Sequence, residues 1–152
     1  MGKANLVALS HALSGAGALV VSLYTETDLL ASVRLIKPLG FAVFAGGILL
    51  FVVSVVYLKR AFLGDVEPVT VRLFTTGPYR LVRHPLYLSM FVATIGLAVA
   101  FRSLWGMLLT LAVFIPAVLW RAMLEEQALA RRFGQEWEDY AAKTYFILPP
   151  MC

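Results

Sequence analysis

Four apolar stretches divide the chain. The first runs from Ala4 to Tyr24 and is interrupted only by His11 and small residues. The second, Leu39 to Leu58, carries no charge. The third, Leu86 to Phe101, is shorter and is closed by Arg102; the fourth, Leu104 to Trp120, is closed by Arg121. An α-helix rises about 1.5 Å per residue, so about 20 apolar residues cross a bilayer core. The pattern predicts an all-α integral membrane fold with four transmembrane helices (4–24, 39–58, 86–101 and 104–120) in a single domain, 1–152. Lys3 alone is a slight basic start for a signal peptide, so the first run is read as a true span.

Only Arg102 and Ser103 separate the last two runs, which predicts a tight antiparallel hairpin. Pro116 lacks the amide that its helix needs and predicts a kink, with space for an acyl or prenyl chain between helices. Gly15, Gly17, Gly46 and Gly47 read as sites of close helix approach, and His11 as a hydrogen bond to a neighbouring helix. The Thr25 to Pro38 loop is expected to hold a short interfacial segment.

Composition agrees with lipid contact. Apolar residues make up 61% of the chain, against roughly 45–50% in soluble domains. The net charge of +4 would suit nucleic acid, but the charges fall between and after the apolar runs, where an anionic membrane surface is the better partner. With four spans, one side carries Lys3, Lys59, Arg60, Arg72, Arg80, Arg83, Arg121, Arg131, Arg132 and Lys143. The other carries Arg34, Lys37 and Arg102. That asymmetry places both termini, the loop 59–85 and the tail 121–152 in the cytoplasm. One cysteine, Cys152, and two histidines exclude an intrachain disulfide and make a protein metal site implausible.

The polar information lies in the loop and the tail. Gly77-Pro78 signals a turn. Pro85 suits the first turn of a helix, whose free amides favour an anionic group. Arg80 and Arg83, with Tyr79 and Tyr87 as interface aromatics, would equally suit a basic membrane anchor. In the tail, Arg121 and Glu125 share a helix face. Glu126 points about 100° away from Glu125, so one acid can meet Arg121 while the other faces a pocket. Taken alone, such a pair is also an ordinary surface ion pair worth ~0.3–0.5 kcal/mol. Gly134 reads as a helix C-cap. Gln135 to Lys143 reads as a short amphipathic helix with Trp137 and Tyr140 on one side, able to lie on the membrane or to close over a pocket.

Taken together, Gly77-Pro78-Tyr79-Arg80, Arg83-His84-Pro85-Leu86-Tyr87, Arg121 with Glu125-Glu126, and Phe133-Gly134 with Trp137 and Tyr140 resemble the isoprenylcysteine carboxyl methyltransferase and phospholipid methyltransferase superfamily. The resemblance covers about half the chain, from near Leu73 to Pro149. It implies a methyltransferase that uses S-adenosylmethionine and methylates a small lipophilic acceptor (a phospholipid amine, a prenyl-cysteine-like carboxylate or a thiol) at the cytoplasmic face. On the same resemblance, Arg83, His84, Pro85, Tyr87, Glu125 and Glu126 would hold the cofactor. Arg121 and Glu125 would flank the methyl-transfer centre, and Tyr79, Arg80, Trp137 and Tyr140 would meet the acceptor. If the acceptor is an amine or thiol, His84 or a glutamate would take its proton. Members often carry Val-Pro-Arg before a final aromatic-Ile-Pro. Here Thr144-Tyr145-Phe146 precede Ile147-Leu148-Pro149, which argues against protein isoprenylcysteine as the acceptor. Two other readings remain at this stage: a membrane reductase with a nicotinamide cofactor, and a non-enzymatic membrane scaffold.

Overall fold

A computed structural model describes residues 3–25, 34–58 and 73–148. Lys59, Arg60, Arg72, most of the Thr25 to Pro38 loop, Pro149, Pro150 and Cys152 lie outside the described residues. The described chain is helical: α1 (Lys3–Tyr24), α2 (Ile36–Leu58), a 3-10 turn (Gly77–Arg80), α3 (Pro85–Ala100), α4 (Leu104–Leu109), a π turn (Thr110–Phe114), α5 (Ile115–Phe133) and α6 (Gln135–Ala141). Among the described residues the only extended pairing is an isolated parallel bridge between Val82 and Tyr145.

Two helical stretches are long and apolar enough to cross a membrane: Ile36–Leu58 and the continuous run Leu104–Phe133. Leu9–Tyr24 and Pro85–Ala100 are apolar but shorter. Large apolar side chains face outward along the bundle, among them Leu13 and Val20 of α1, Leu49 and Val56 of α2, and Trp105 and Trp120.

Helix ends follow local chemistry. Pro38 falls within the first turn of α2, where amides have no partner inside the helix, so α2 begins earlier than its apolar run. Pro85 opens α3, with His84 as the flanking residue. After α3 the chain reverses at Phe101 and Arg102, and Arg102 takes a positive φ of 54°. Ser103 then caps α4 by accepting from the Gly106 amide at 2.9 Å. Its hydroxyl also meets that of Thr25 at 2.5 Å, which ties the end of α1 to this reversal. The irregularity expected from Pro116 takes the form of the π turn just before it. A widened turn absorbs the missing amide hydrogen bond without breaking the helix. Gly134 ends α5 with φ 51°. The following helix stops at Ala141, two residues short of the expected Lys143.

Packing divides between two surfaces. α2 lies along α3, while α1 contacts α3, α4, the π turn and α5. In the α2–α3 seam, a Cβ on Gly47 would stand 2.5 Å from the Ala93 amide nitrogen, and one on Gly40 or Gly96 would overlap the facing backbone. Gly15 packs against the Phe114 ring. Gly17 and Gly46 meet nothing within 4 Å, so the expected close approach fails there: both point away from the neighbouring helices. Phe114 is fully buried and forms a small core with Tyr87, Val118 and Ala122. His11 bonds the Val7 carbonyl of its own helix at 3.2 Å, not a neighbouring helix. Its ring stands edge-on to Tyr87, 6.1 Å away.

Candidate functional site

Three segments build one polar cluster: the loop before α3, the C-terminal half of α5 and the strap after α6. The loop is set by the 3-10 turn, where Gly77 takes φ 60°. It is then pinned to the strap by backbone bonds: Tyr145 N donates to Leu81 O at 3.0 Å, Arg83 N to Tyr145 O at 2.7 Å, and His84 N to Phe146 O at 3.2 Å. Tyr140 adds its hydroxyl to the Tyr79 carbonyl at 2.7 Å.

Arg83 is the centre of this clamp. Its Nη1 donates to the carbonyls of Ala141 at 2.9 Å and Thr144 at 2.6 Å, and its Nε to Glu126 Oε1 at 2.5 Å. The guanidinium also lies 6.0 Å from the Trp137 ring and 5.7 Å from the Phe146 ring. His84 is buried; its Nε2 donates to the same Glu126 oxygen at 3.2 Å. Its ring stacks on Tyr87 at 5.6 Å and meets Phe146 edge-on at 5.1 Å.

A second set stands one helix position round. Tyr87 donates its hydroxyl proton to Glu125 Oε1 at 2.6 Å and accepts from Arg121 Nε at 2.8 Å. Arg121 Nε also lies 3.3 Å from Glu125 Oε1. His84 Nδ1 is 3.8 Å from Glu125 Oε2, so the histidine sits between both acids. The two glutamates therefore take different partners, as a 100° step between adjacent helical residues requires: Glu125 faces Arg121 and Tyr87, and Glu126 faces Arg83 and His84.

Electrostatics follow the geometry. Burial pushes the Glu126 carboxyl upward, but the hydrogen bonds and charges of His84 and Arg83 outweigh it and hold the pKa below the usual value. Burial, with the charge of Glu126 adding to it, raises Tyr140 to about 12 although Arg83 opposes the shift. Tyr79 is raised further, first by burial. Its hydroxyl is buried without a hydrogen-bond partner among the described residues.

Below the cluster lies an apolar cavity of about 390 Å³ between α3, α5 and the strap. Tyr87 is shared: its hydroxyl belongs to the ionic set, and its ring lines the cavity. Phe146 is shared in the same way.

The structure brings Arg83, His84, Tyr87, Arg121, Glu125 and Glu126 together, with Pro85 between them at the start of α3. Tyr79, Trp137 and Tyr140 pack behind Arg83. Arg80 is exposed and stands outside this set. Sequence reasoning missed the strap pairing at Tyr145, the double role of Phe146, and the approach of His11 to Tyr87. Only the apolar run Phe146-Ile147-Leu148 after a polar helix signalled the strap. No group of three His, Cys, Asp or Glu suited to a metal occurs among the described residues.

A sequence model of the phospholipid methyltransferase family matches residues 35–136. A nickel-cobalt-cadmium resistance protein, NccN, of Alcaligenes xylosoxydans xylosoxydans is 39% identical over 80 residues, covering 51% of this chain and 36% of its own. A probable protein-S-isoprenylcysteine O-methyltransferase of Oryza sativa subsp. indica is 39% identical over 83 residues, covering 51% of this chain and 41% of its own. The cobalt-zinc-cadmium resistance protein CzcN of Cupriavidus metallidurans is 36% identical over 80 residues, covering 51% of this chain and 35% of its own. The chain thus spans well under half the length of the curated relatives it matches. No solved structure matches it.

Proposed function

Because this chain belongs to the phospholipid methyltransferase family, we propose that it transfers a methyl group from S-adenosylmethionine to a small lipophilic acceptor at the cytoplasmic face of a membrane. Its four apolar helices cross that membrane, with both termini cytoplasmic. The 16 residues of α3 reach about 24 Å at 1.5 Å each, a shortfall that local thinning of the bilayer accommodates.

The observation that carries this reading is a paired-acid cluster built directly over an apolar cavity. The donor set suits the cofactor. Glu125 and Glu126 keep 23% and 24% of their side chains exposed, so they are reachable, whereas His84 and Arg121 are buried. Reachable carboxylates suit ribose hydroxyls and an ammonium group; the first-turn amides of α3 suit a carboxylate. When bound, the sulfonium supplies the methyl group. Arg83 fixes Glu126 and the loop, while His84, Pro85 and Tyr87 line the site. Arg121 and Glu125, coupled through the Tyr87 hydroxyl, orient the acceptor. Tyr79, Trp137 and Tyr140 support the acceptor side by the wall they form behind Arg83, while Arg80, exposed and outside the cluster, takes no part in this reading. Holding two reactants in attack geometry is itself a large part of such catalysis.

Calorimetry on the purified full chain tests the assignment. S-adenosylmethionine binds the wild type, and Glu126→Ala or His84→Ala weakens it about tenfold or more, the scale of a lost charge-assisted hydrogen bond. Unchanged affinity in both variants removes the cofactor site. A nicotinamide cofactor binding in its place overturns the reaction class.

A further inference from the structure

Resting on that methyltransferase reading, we propose that His11 is the catalytic base, taking a proton from the acceptor at its Nε2, and that the acceptor head is a protic nucleophile, an amine or a thiol. The residue comes from α1, which lies outside the residues matched by the family model.

His11 belongs to the inward stripe of α1. Val7, His11, Gly15, Ala18 and Ser22 follow at helical spacing and share one face. The other four are buried, and Gly15 sits on the Phe114 ring. His11 alone of the five is half-buried, so the stripe opens at the imidazole. Its ring stands edge-on to Tyr87, with centroids 6.1 Å apart, and the charges of Arg121 and Glu125 both act on it. An acceptor oriented by Arg121 and Glu125 has this imidazole beside its head. An ionisable side chain turned into a helix bundle at membrane depth is costly to keep and marks function.

The ring is held in the tautomer a base needs. A carbonyl can only accept, so the 3.2 Å bond to Val7 puts the ring proton on Nδ1. Nε2 then carries a lone pair, and no hydrogen-bond partner meets it among the described residues. Neighbouring bases are engaged. His84 Nε2 meets Glu126 at 3.2 Å, and Glu126 is held below its usual pKa by His84 and Arg83. Glu125 accepts from Tyr87 and lies 3.3 Å from Arg121. A carboxylate acceptor has no proton to lose and would leave His11 without a task. With an amine or thiol, a lone pair on the acceptor nitrogen or sulfur forms the bond to the methyl carbon. The methyl–sulfonium bond breaks with its electron pair kept by sulfur. One proton of the acceptor passes to His11 Nε2 and from there to water.

The test follows labelled-methyl transfer by the full chain in nanodiscs to dodecylamine, dodecanethiol and dodecanoate, which differ only in the head. His11→Asn keeps an amide donor for the Val7 carbonyl and removes the base; His11→Gln serves if that variant is unstable. On the amine or the thiol, the substitution lowers kcat about a hundredfold or more, with KM and S-adenosylmethionine affinity near wild type. Wild-type kcat rises with pH as the imidazolium gives up its proton, and the variant lacks this rise. The ionisable groups facing His11 are Tyr87 of α3 and Arg121 and Glu125 of α5; α4 and the π turn bring none. On the thiol, alkaline pH narrows the gap, because a thiolate needs no base. Wild-type rates in the variant overturn the proposal, as does a loss that is the same at every pH. Transfer to dodecanoate alone, or to none of the three with S-adenosylmethionine bound, also overturns it. A wild type that binds no S-adenosylmethionine fails the underlying reading instead.

Discussion

Helix α3 presents two sides built by opposite means. Toward α2, Gly96 and the small residues Ala93 and Ala100 let backbones meet, with Gly47 and Gly40 opposite them. Toward α5, Tyr87 and Phe91 hold a cavity open, and the Tyr87 hydroxyl closes its end with an ionic group. Small residues at the seam maximise contact between helices that gain no hydrophobic energy from each other in lipid. Large rings on the other side keep a distance. One helix therefore serves as both a fixed support and the wall of a site. The seam holds α3 still, which allows the site to be precise.

The sharpest way to break this contrast lies in two adjacent glycines. Gly47→Leu drives a side chain into the Ala93 backbone and should cost about 3 kcal/mol or more. Gly46→Leu meets open space and should change stability by less than about 0.5 kcal/mol. Thermal denaturation followed by size-exclusion chromatography measures both. Equal losses would show that the seam is not the support.

Arg83→Ala acts on the other side. It removes the bonds to Ala141, Thr144 and Glu126 together, a loss of about 2–4 kcal/mol. Hydrogen exchange should speed up at residues 142–148 while the α2–α3 seam keeps its protection. A uniform change along the chain would contradict the division between the two sides.

The smallest effect is acid dependence. The folded Glu126 pKa is depressed, so its contribution is present above the ordinary carboxylate pKa and is lost as pH falls through the lowered value. With the side chain 24% exposed, the contribution is no more than roughly 1 kcal/mol. Thermal scans from neutral pH to below the ordinary carboxylate range should show this loss in the wild type and a flatter curve in Glu126→Gln. Parallel curves would place the acid sensitivity elsewhere.

Much of this architecture is legible from the sequence. Apolar runs locate α1, α2, α3 and the stretch from α4 through the π turn into the start of α5, because a membrane-compatible helix must be apolar over its length; the continuation of α5 to Phe133 lies beyond the apolar run that ends at Trp120. The loop motif and Glu125-Glu126 indicate which segments meet, and Arg83, His84 and Glu126 do meet. Other features escape a one-dimensional reading. Gly46 and Gly47 are equivalent in sequence, yet only Gly47 faces α3, because facing depends on how α2 is rotated. Gly40 and Gly96 become contact points only when the two helices are paired. The bridge of Val82 with Tyr145 joins residues far apart in the chain, and no local propensity encodes that pairing. His11 reads in the sequence as a hydrogen bond to a neighbouring helix, and only the packing of α1 brings its ring to Tyr87.

The widened turn at Thr110–Phe114 has a consequence for everything beyond it. Such a turn amounts to one residue inserted into a helix, and one residue advances the azimuth by about 100°. The turn is thus an indexing device that dials Arg121 and Glu125 toward Tyr87 through the length of α5. Deleting a single residue there would leave every acid and base in the chain and aim them at the wrong neighbours.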